Sequence, residues 1–434
     1  MGRVRRLELM LVGKRTKEGL DILEDVLGKE AAEMESLCLS FASDVDTQPG
    51  GLLKVPLTLM PGHVLFNGQA PRLKTLKFIN CDLVSTLNSE LNCVFQNLVT
   101  LELDHCLMDF LELDDAFKWW DLCRSGGMPR LENLSLRFLT RSVDPKPLPP
   151  SPGGRTPSRR GTSPSSLKFL CLEGLVEPCI ALLGLMEVPT SCTVHLYVEA
   201  ANPNRPEEAL VSRTVTPQSE PTALVSALSR MWRDNTTPCA ELSVTLKQNE
   251  TLRLLHRSPA REIMVLIEPS YEGEYPDPDG TWDVLDFYRP FFNHIARPEH
   301  LPDLSEDNGA SLTLDIAHKE KPILDSAFAQ FLMQFRKVAR LRLMGWVPYV
   351  LTANGETRDL FRITPADIAC GSASSISVRS DLFSSTLLLP SIRQMTVPDH
   401  WLLHDTFRSR LKRFIDERGS PAGFTVIGTK SDYS

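Results

Sequence analysis

Two histidines four residues apart, in His400-Trp-Leu-Leu-His404, have the spacing that sets two imidazoles on one side of a helix, where they could share a metal ion. The segment lacks the Glu that a metalloprotease helix carries between its histidines, so the pair is read as a helix-surface pair. Asp277-Pro-Asp279-Gly280 has the composition of a calcium loop, but its first ligand position would be Tyr275 and its last Asp286, so the loop is rejected. The chain contains no Gly-x-Ser-x-Gly elbow, no phosphate-binding Gly-x-x-x-x-Gly-Lys and no dinucleotide fingerprint. The sequence therefore names no catalytic residue, no metal ligand and no cofactor, and the chain is expected not to be an enzyme.

The chemistry that remains is recognition. If the strands described below align, Asp104, Arg137, Glu173 and Glu199 fall in one row, and Lys77, Glu102, Ser135, Cys171 and Tyr197 in the next. Neighbouring strands lie about 4.8 Å apart, so such side chains interact directly. One reading is a solvated charge ladder that satisfies itself. The other makes this mixed row, with His195 and Tyr197 at its apolar end, a concave face that contacts a protein partner. A second kind of chemistry lies in Ser151-Pro152, Thr156-Pro157 and Ser163-Pro164, flanked by Arg155, Arg159 and Arg160. Ser151, Thr156 and Ser163 are candidate phosphorylation sites for a proline-directed kinase; the plainer reading is a tolerated, solvated insertion.

The elements that would position these residues are repeats. Leu73-x-x-Leu76-x-Phe78-x-x-Cys81-x-Leu83 and Leu98-x-x-Leu101-x-Leu103-x-x-Cys106-x-Met108 are two copies of one leucine-rich unit, 25 residues apart. The middle of each unit is a short strand. It points Leu76/Phe78 and Leu101/Leu103 to one face and Thr75/Lys77/Ile79 and Thr100/Glu102/Asp104 to the other. A Cys at the corner is small and apolar enough to bury. No copy can cover its own apolar face, so each needs stacked neighbours.

The same strand pattern starts at Val4-x-x-Leu7-x-Leu9 and returns at Met34-x-x-Leu37-x-Leu39, Leu131-x-x-Leu134-x-Leu136 and Leu167-x-x-Leu170-x-Leu172. Leu20, Leu23 and Leu27 predict a helix that Gly28 ends, and Asp114 to Cys123, with Trp119 and Trp120, predicts another. Residues 141–166 hold seven prolines and little to bury, so they are expected to form a disordered loop inside the array. Beyond it, strands are expected at Leu196, Leu242-Ser-Val244, Ile263-Met-Val265, Leu312-Thr-Leu314, Leu341-x-Leu343, Ile376-Ser-Val378, Met395-x-Val397 and Phe424-Thr-Val426. Helices are expected between them, including one N-capped by Ser219 and one carrying Phe407, Leu411, Phe414 and Ile415. Alternating strand and helix predict the α/β class: one leucine-rich-repeat solenoid over residues 1–434, a curved parallel sheet with helices on its outer face.

Composition narrows the partners. Lys+Arg 47 against Asp+Glu 55 gives a net charge of −8, which argues against binding nucleic acid. The ten cysteines contain no Cys-x-x-Cys and suit buried thiols in a reducing compartment. Met-Gly-Arg-Val-Arg-Arg does not open a signal peptide, and no window is long and apolar enough to span a bilayer. The chain is expected to be cytoplasmic or nuclear, not secreted, with no membrane partner.

Leu65-Phe-Asn-Gly-Gln-Ala-Pro-Arg-Leu-Lys-Thr-Leu-Lys-Phe-Ile-Asn-Cys81 resembles the leucine-rich region of the large F-box-like protein family of mushroom-forming fungi, which repeats a Leu-Phe-x-Gly-x-Ala-Pro-x-Leu-x-x-Leu segment. Ser166-Leu-Lys-Phe-Leu-Cys-Leu-Glu-Gly-Leu175 is similar to the family's next marker, and Leu411-Lys-Arg-Phe-Ile-Asp-Glu-Arg-Gly419 to its closing helix. The resemblance implies a recognition surface for ubiquitin-ligase substrates, tethered through an N-terminal F-box to a Skp-type adaptor. No F-box is recognisable before Val4, so that adaptor is expected only if an upstream F-box is missing from this sequence. The uncovered first repeat is expected to make the chain self-associate. The overall expectation is a non-catalytic protein-interaction scaffold, with a stand-alone binding module as the alternative.

Overall fold

Alternating burial shapes the first unit of the chain. Among the described side chains of the strands Arg6–Val12 (β1), Ser36–Ala42 (β2), Thr75–Ile79 (β3), Thr100–Asp104 (β4), Asn133–Leu139 (β5), Phe169–Leu175 (β6) and Thr193–Ala200 (β7), every second one points inward. The computed structural model describes residues 4–12, 23, 25–42, 57–58, 65–79, 81–82, 92–104, 128–139, 161–162, 166–200, 219–233, 239–247, 251–269, 285–297, 300, 310–316, 323–335, 338–345, 349–351, 357–359, 391–417 and 424–429. Two compact units divide the chain: Met1–Arg213 with Ser270–Pro276, and Thr214–Pro269 with Asp277–Ser434.

In the first unit the seven strands lie side by side in chain order, every pair parallel. Leu37, Leu76, Leu101, Leu134, Leu170 and Val194 are register partners along one buried row, and Leu39, Phe78, Leu103, Leu136, Leu172 and Leu196 along a second. A third row, Met34, Leu73, Leu98, Leu131, Leu167 and Cys192, seals the strand entries, each residue no more than 1% exposed. Burying one such side chain is worth roughly 1.5–3 kcal/mol, which makes these rows the main favourable term.

Backbone groups at the strand entries are satisfied by the neighbouring strand segments. The carbonyl of Arg5 accepts from the N–H groups of Glu35 and Ser36, and that of Glu35 from Lys74 and Thr75. Lys74, Val99 and Glu132 continue the ladder, each accepting two N–H groups from the entry of the next strand. Asn97 Nδ2 donates to the Pro71 carbonyl at 2.7 Å and adds a side-chain rung. Ahead of β3, Phe66, Asn67 and Gly68 all have positive φ, a tight left-handed turn that drives the Phe66 ring into the core.

The helix Val176–Leu185 (α1) returns the chain from β6 towards β7. Earlier, Leu23 and Leu27 are buried and Asp25–Leu27 are helical, as their spacing predicts. Cys81–Asp82 pairs with Leu57–Thr58 as a two-residue parallel bridge. Most of the 141–166 insertion, with Ser151, Thr156 and Ser163, lies outside the described residues. So do the Asp114 to Cys123 helix, Cys106, Asp277 to Gly280 and Ile376-Ser-Val378. Gly161–Thr162, at the end of that insertion, pairs in parallel with Met186–Glu187, where a loop alone was expected.

The second unit also has seven main strands: Glu241–Leu246 (β8), Leu252–Arg257 (β9), Glu262–Pro269 (β10), Ser311–Ile316 (β11), Arg340–Gly345 (β12), Gln394–Pro398 (β13) and Thr425–Thr429 (β14). Their order is β10-β9-β8-β11-β12-β13-β14. From β8 through β14 the pairs are parallel. The expectation of a wholly parallel arrangement is corrected at β8, β9 and β10, which form an antiparallel meander. Strand β9 was not anticipated, because Leu252-Arg-Leu-Leu-His-Arg257 lacks the repeat spacing. The short links before and after it leave no alternative, since a parallel crossover needs a dozen residues or more.

Helices Ser219–Arg233 (α2), Leu285–Ile295 (α3) and Ser326–Met333 (α4) pack in succession, α2 on α3 and α3 on α4. The contact between α3 and α4 is aromatic: the Phe292 ring meets Phe328 at 5.0 Å and Phe331 at 5.4 Å, and Phe331 meets Phe335 just after α4 at 4.8 Å. The short helix Asp399–Leu402 (α5) and the helix Asp405–Glu417 (α6) lead from β13 to β14. Ile323–Asp325, Tyr349–Leu351 and Thr357–Asp359 make a separate small sheet. Among the described residues, no helix is long and apolar enough to cross a membrane.

Candidate protein-interaction surface

The outward side chains of β3 to β7 come together as a polar face. Its central row runs Lys77, Glu102, Ser135, Cys171, His195 by direct register. Lys77 Nζ lies 2.8 Å from Glu102 Oε2, and this hydrogen bond raises the lysine pKa. Both side chains are more than one-third exposed, so the pair is worth well under 1 kcal/mol. Asp104 aligns with Arg137 in the next row, and Arg137 Nε reaches Glu173 at 3.9 Å.

The structure moves three residues from their expected places. Tyr197 was expected opposite Cys171 and Glu199 opposite Glu173; instead His195 pairs with Cys171, Tyr197 with Glu173, and Glu199 with Leu175. The cause is the corner before β7. Cys192 fills the sealing position there and its N–H reaches the Pro189 carbonyl, but it stands two residues before the first buried strand residue, Val194, not three. The register also slips between Leu136 and Leu139, next to Gly174, whose φ of 146° suits glycine.

The β6/β7 end of this face is aromatic. The rings of Phe169 and His195 lie 5.1 Å apart and edge-to-face, and those of His195 and Tyr197 6.3 Å apart in the same manner. All three side chains are half-buried. The sequence reading missed Phe169, although a large aromatic at an outward strand position was the available signal. Cys171 is almost fully buried, and burial raises its thiol pKa against the opposing pull of Ser135 and Arg137. Cys38, which aligns with Lys77, is raised by burial and by Glu8. Neither thiol is primed as a nucleophile.

The other chemical candidates separate. His400 lies within α5, but that helix ends at Leu402, so His404 is not carried on the same helix face. Both histidines are exposed, and among the described residues no group of three or more His, Cys, Asp or Glu could hold a metal ion. A Ser–His contact that the sequence did not suggest links Ser229 Oγ to His300 Nδ1 at 2.9 Å. Ser229 is 0% exposed, and Arg233 Nη2 donates to the same oxygen at 3.0 Å, so the hydroxyl pins α2 to the chain after α3 and cannot reach a substrate. An open hollow of about 380 Å³ at the strand entries borders Lys74, Asn97 and Arg130. Its Arg72 is engaged by Glu33, and its Asn97 by the Pro71 carbonyl.

No protein-family model matches this chain, and no curated protein matches it either.

Proposed function

We propose that this chain is a non-catalytic protein-interaction scaffold: a leucine-rich-repeat solenoid of the F-box-like type whose concave polar face takes a substrate protein for ubiquitin ligation. The observation that carries the reading is the in-register stack of parallel strands, with a charge-paired row that ends in half-exposed aromatic rings. Stacked strands hold outward side chains at fixed spacing, and a rigid face of mixed charge and aromatic surface suits a protein partner better than a small substrate.

The experiment is affinity capture with the full chain followed by mass spectrometry, repeated with the charge reversals Glu102→Lys and Glu173→Lys. A partner lost with both reversals supports docking on this face. Capture unchanged by the reversals would remove the reading. Co-capture of a Skp-type adaptor assigns the ligase role, and a partner without adaptor leaves a stand-alone binding module.

A further inference from the structure

We infer that the aromatic end of this face receives an arginine- or lysine-bearing segment of a protein partner, with the cation seated over the Tyr197 ring. The inference rests on the docking role of the polar face and specifies the partner's chemistry. Tyr197 stands directly across from Glu173 on β6 and two residues before Glu199 on its own strand. Residues so related lie roughly 5–7 Å apart on one face, so a cation above the ring has carboxylates on two sides.

His195 and Phe169 extend the ring surface edge-to-face, giving the aliphatic stem of a lysine or arginine an apolar floor. Attraction of a cation to an aromatic ring grows as water is excluded, which half-buried rings favour. Arg137 already faces Glu173, with its Nε at 3.9 Å. A carboxylate has about four acceptor positions, so the Arg137 contact does not by itself exclude a guanidinium from Glu173.

The charge of the wider face agrees. Across β1 to β7 the outward positions of the described strands carry Glu8, Glu102, Asp104, Glu173 and Glu199 against Arg6, Lys77 and Arg137. An acidic face with an aromatic end attracts a basic segment and repels an acidic one.

The test uses the full chain and fluorescein-labelled peptides of repeated Gly-Ser-Arg, with matched peptides in which citrulline or Glu replaces Arg. Fluorescence anisotropy at physiological salt should show the Arg peptide bound at least tenfold more tightly than the citrulline peptide. Tyr197→Ile should weaken it fivefold or more and Glu199→Gln about threefold, whereas Tyr197→Phe should bind as wild type. Circular dichroism checks that each variant is folded. Asp416→Asn, which removes an exposed carboxylate on α6, controls for net charge and should change nothing. Equal binding of Arg and citrulline peptides overturns the proposal, as does wild-type binding by both Tyr197→Ile and Glu199→Gln. If a captured partner needs Tyr197 but shows no preference for cations, the docking face stands and its basic occupant falls. If capture ignores the charge reversals, the docking reading itself falls.

Discussion

At the scale of single residues, the most consequential is His256. It is 2% exposed and occupies the inward position of β9 that leucines fill at Leu252 and Leu254. The Trp232 ring stacks on it at 5.9 Å. Arg261, also buried, donates from Nη1 to the Met231 carbonyl in the last turn of α2, at 3.1 Å. Burial, and then the Arg261 charge, push the His256 pKa down from 6.5 to about 4. The folded chain thus refuses a proton that the unfolded chain accepts. Stability from this site is complete above about pH 6.5 and is lost as pH falls towards 4, by on the order of 3 kcal/mol in all. We expect the melting temperature of wild type to fall more steeply across that window than that of His256→Leu, which has nothing to protonate. Parallel pH profiles would sink the idea. Cys239, pushed up to about 12 mainly by burial, should stay a thiol throughout.

At the scale of elements, the parallel strands of the first unit were legible because one spacing, Leu-x-x-Leu-x-Leu, encodes both the buried pair and the sealing residue ahead of it. Where the spacing changed, the reading slipped: Cys192 moved β7 by two residues against β6, which no single-strand pattern reveals. Strand β9 was invisible for a related reason, since its inward face ends in His256 and its direction follows from loop length. The contacts of Phe169 with His195, and of Trp232 with His256, join residues far apart in sequence, so only the folded chain brings them together. Helix α1 offers a test of local propensity free of such coupling. Gly184 sits near its end, exposed, and a methyl group added there would meet nothing within 4 Å. Gly184→Ala should therefore stabilise the chain by roughly 0.5–1 kcal/mol, through helix propensity alone. Urea denaturation measures it, and a loss of stability would mean that another part of the chain covers this turn.

At the scale of the molecule, the first unit has one strand whose burial differs from the rest. Leu37 and Leu39 of β2 are 0% exposed, but Leu7 and Leu9 at the corresponding positions of β1 are only half-buried. Val4 is 36% exposed and Met10, on the outward face, 67%. Strand β1 stands at the end of the sheet order, and among the described residues nothing pairs with its outer edge. An edge with apolar groups on both faces and open N–H and C=O groups is a template for another strand. Two copies pairing through β1 would cover Leu7 and Leu9 and extend both sheets at once. We therefore expect residues 1–434 to show a mass by light scattering that rises with concentration. Val4→Lys with Met10→Lys should return it to the monomer, because lysines on an edge strand resist pairing and neither position is sealed in the core. A monomeric wild type at every concentration would mean that the half-covered leucines are tolerated in water, and a double variant that still associates would place the contact elsewhere.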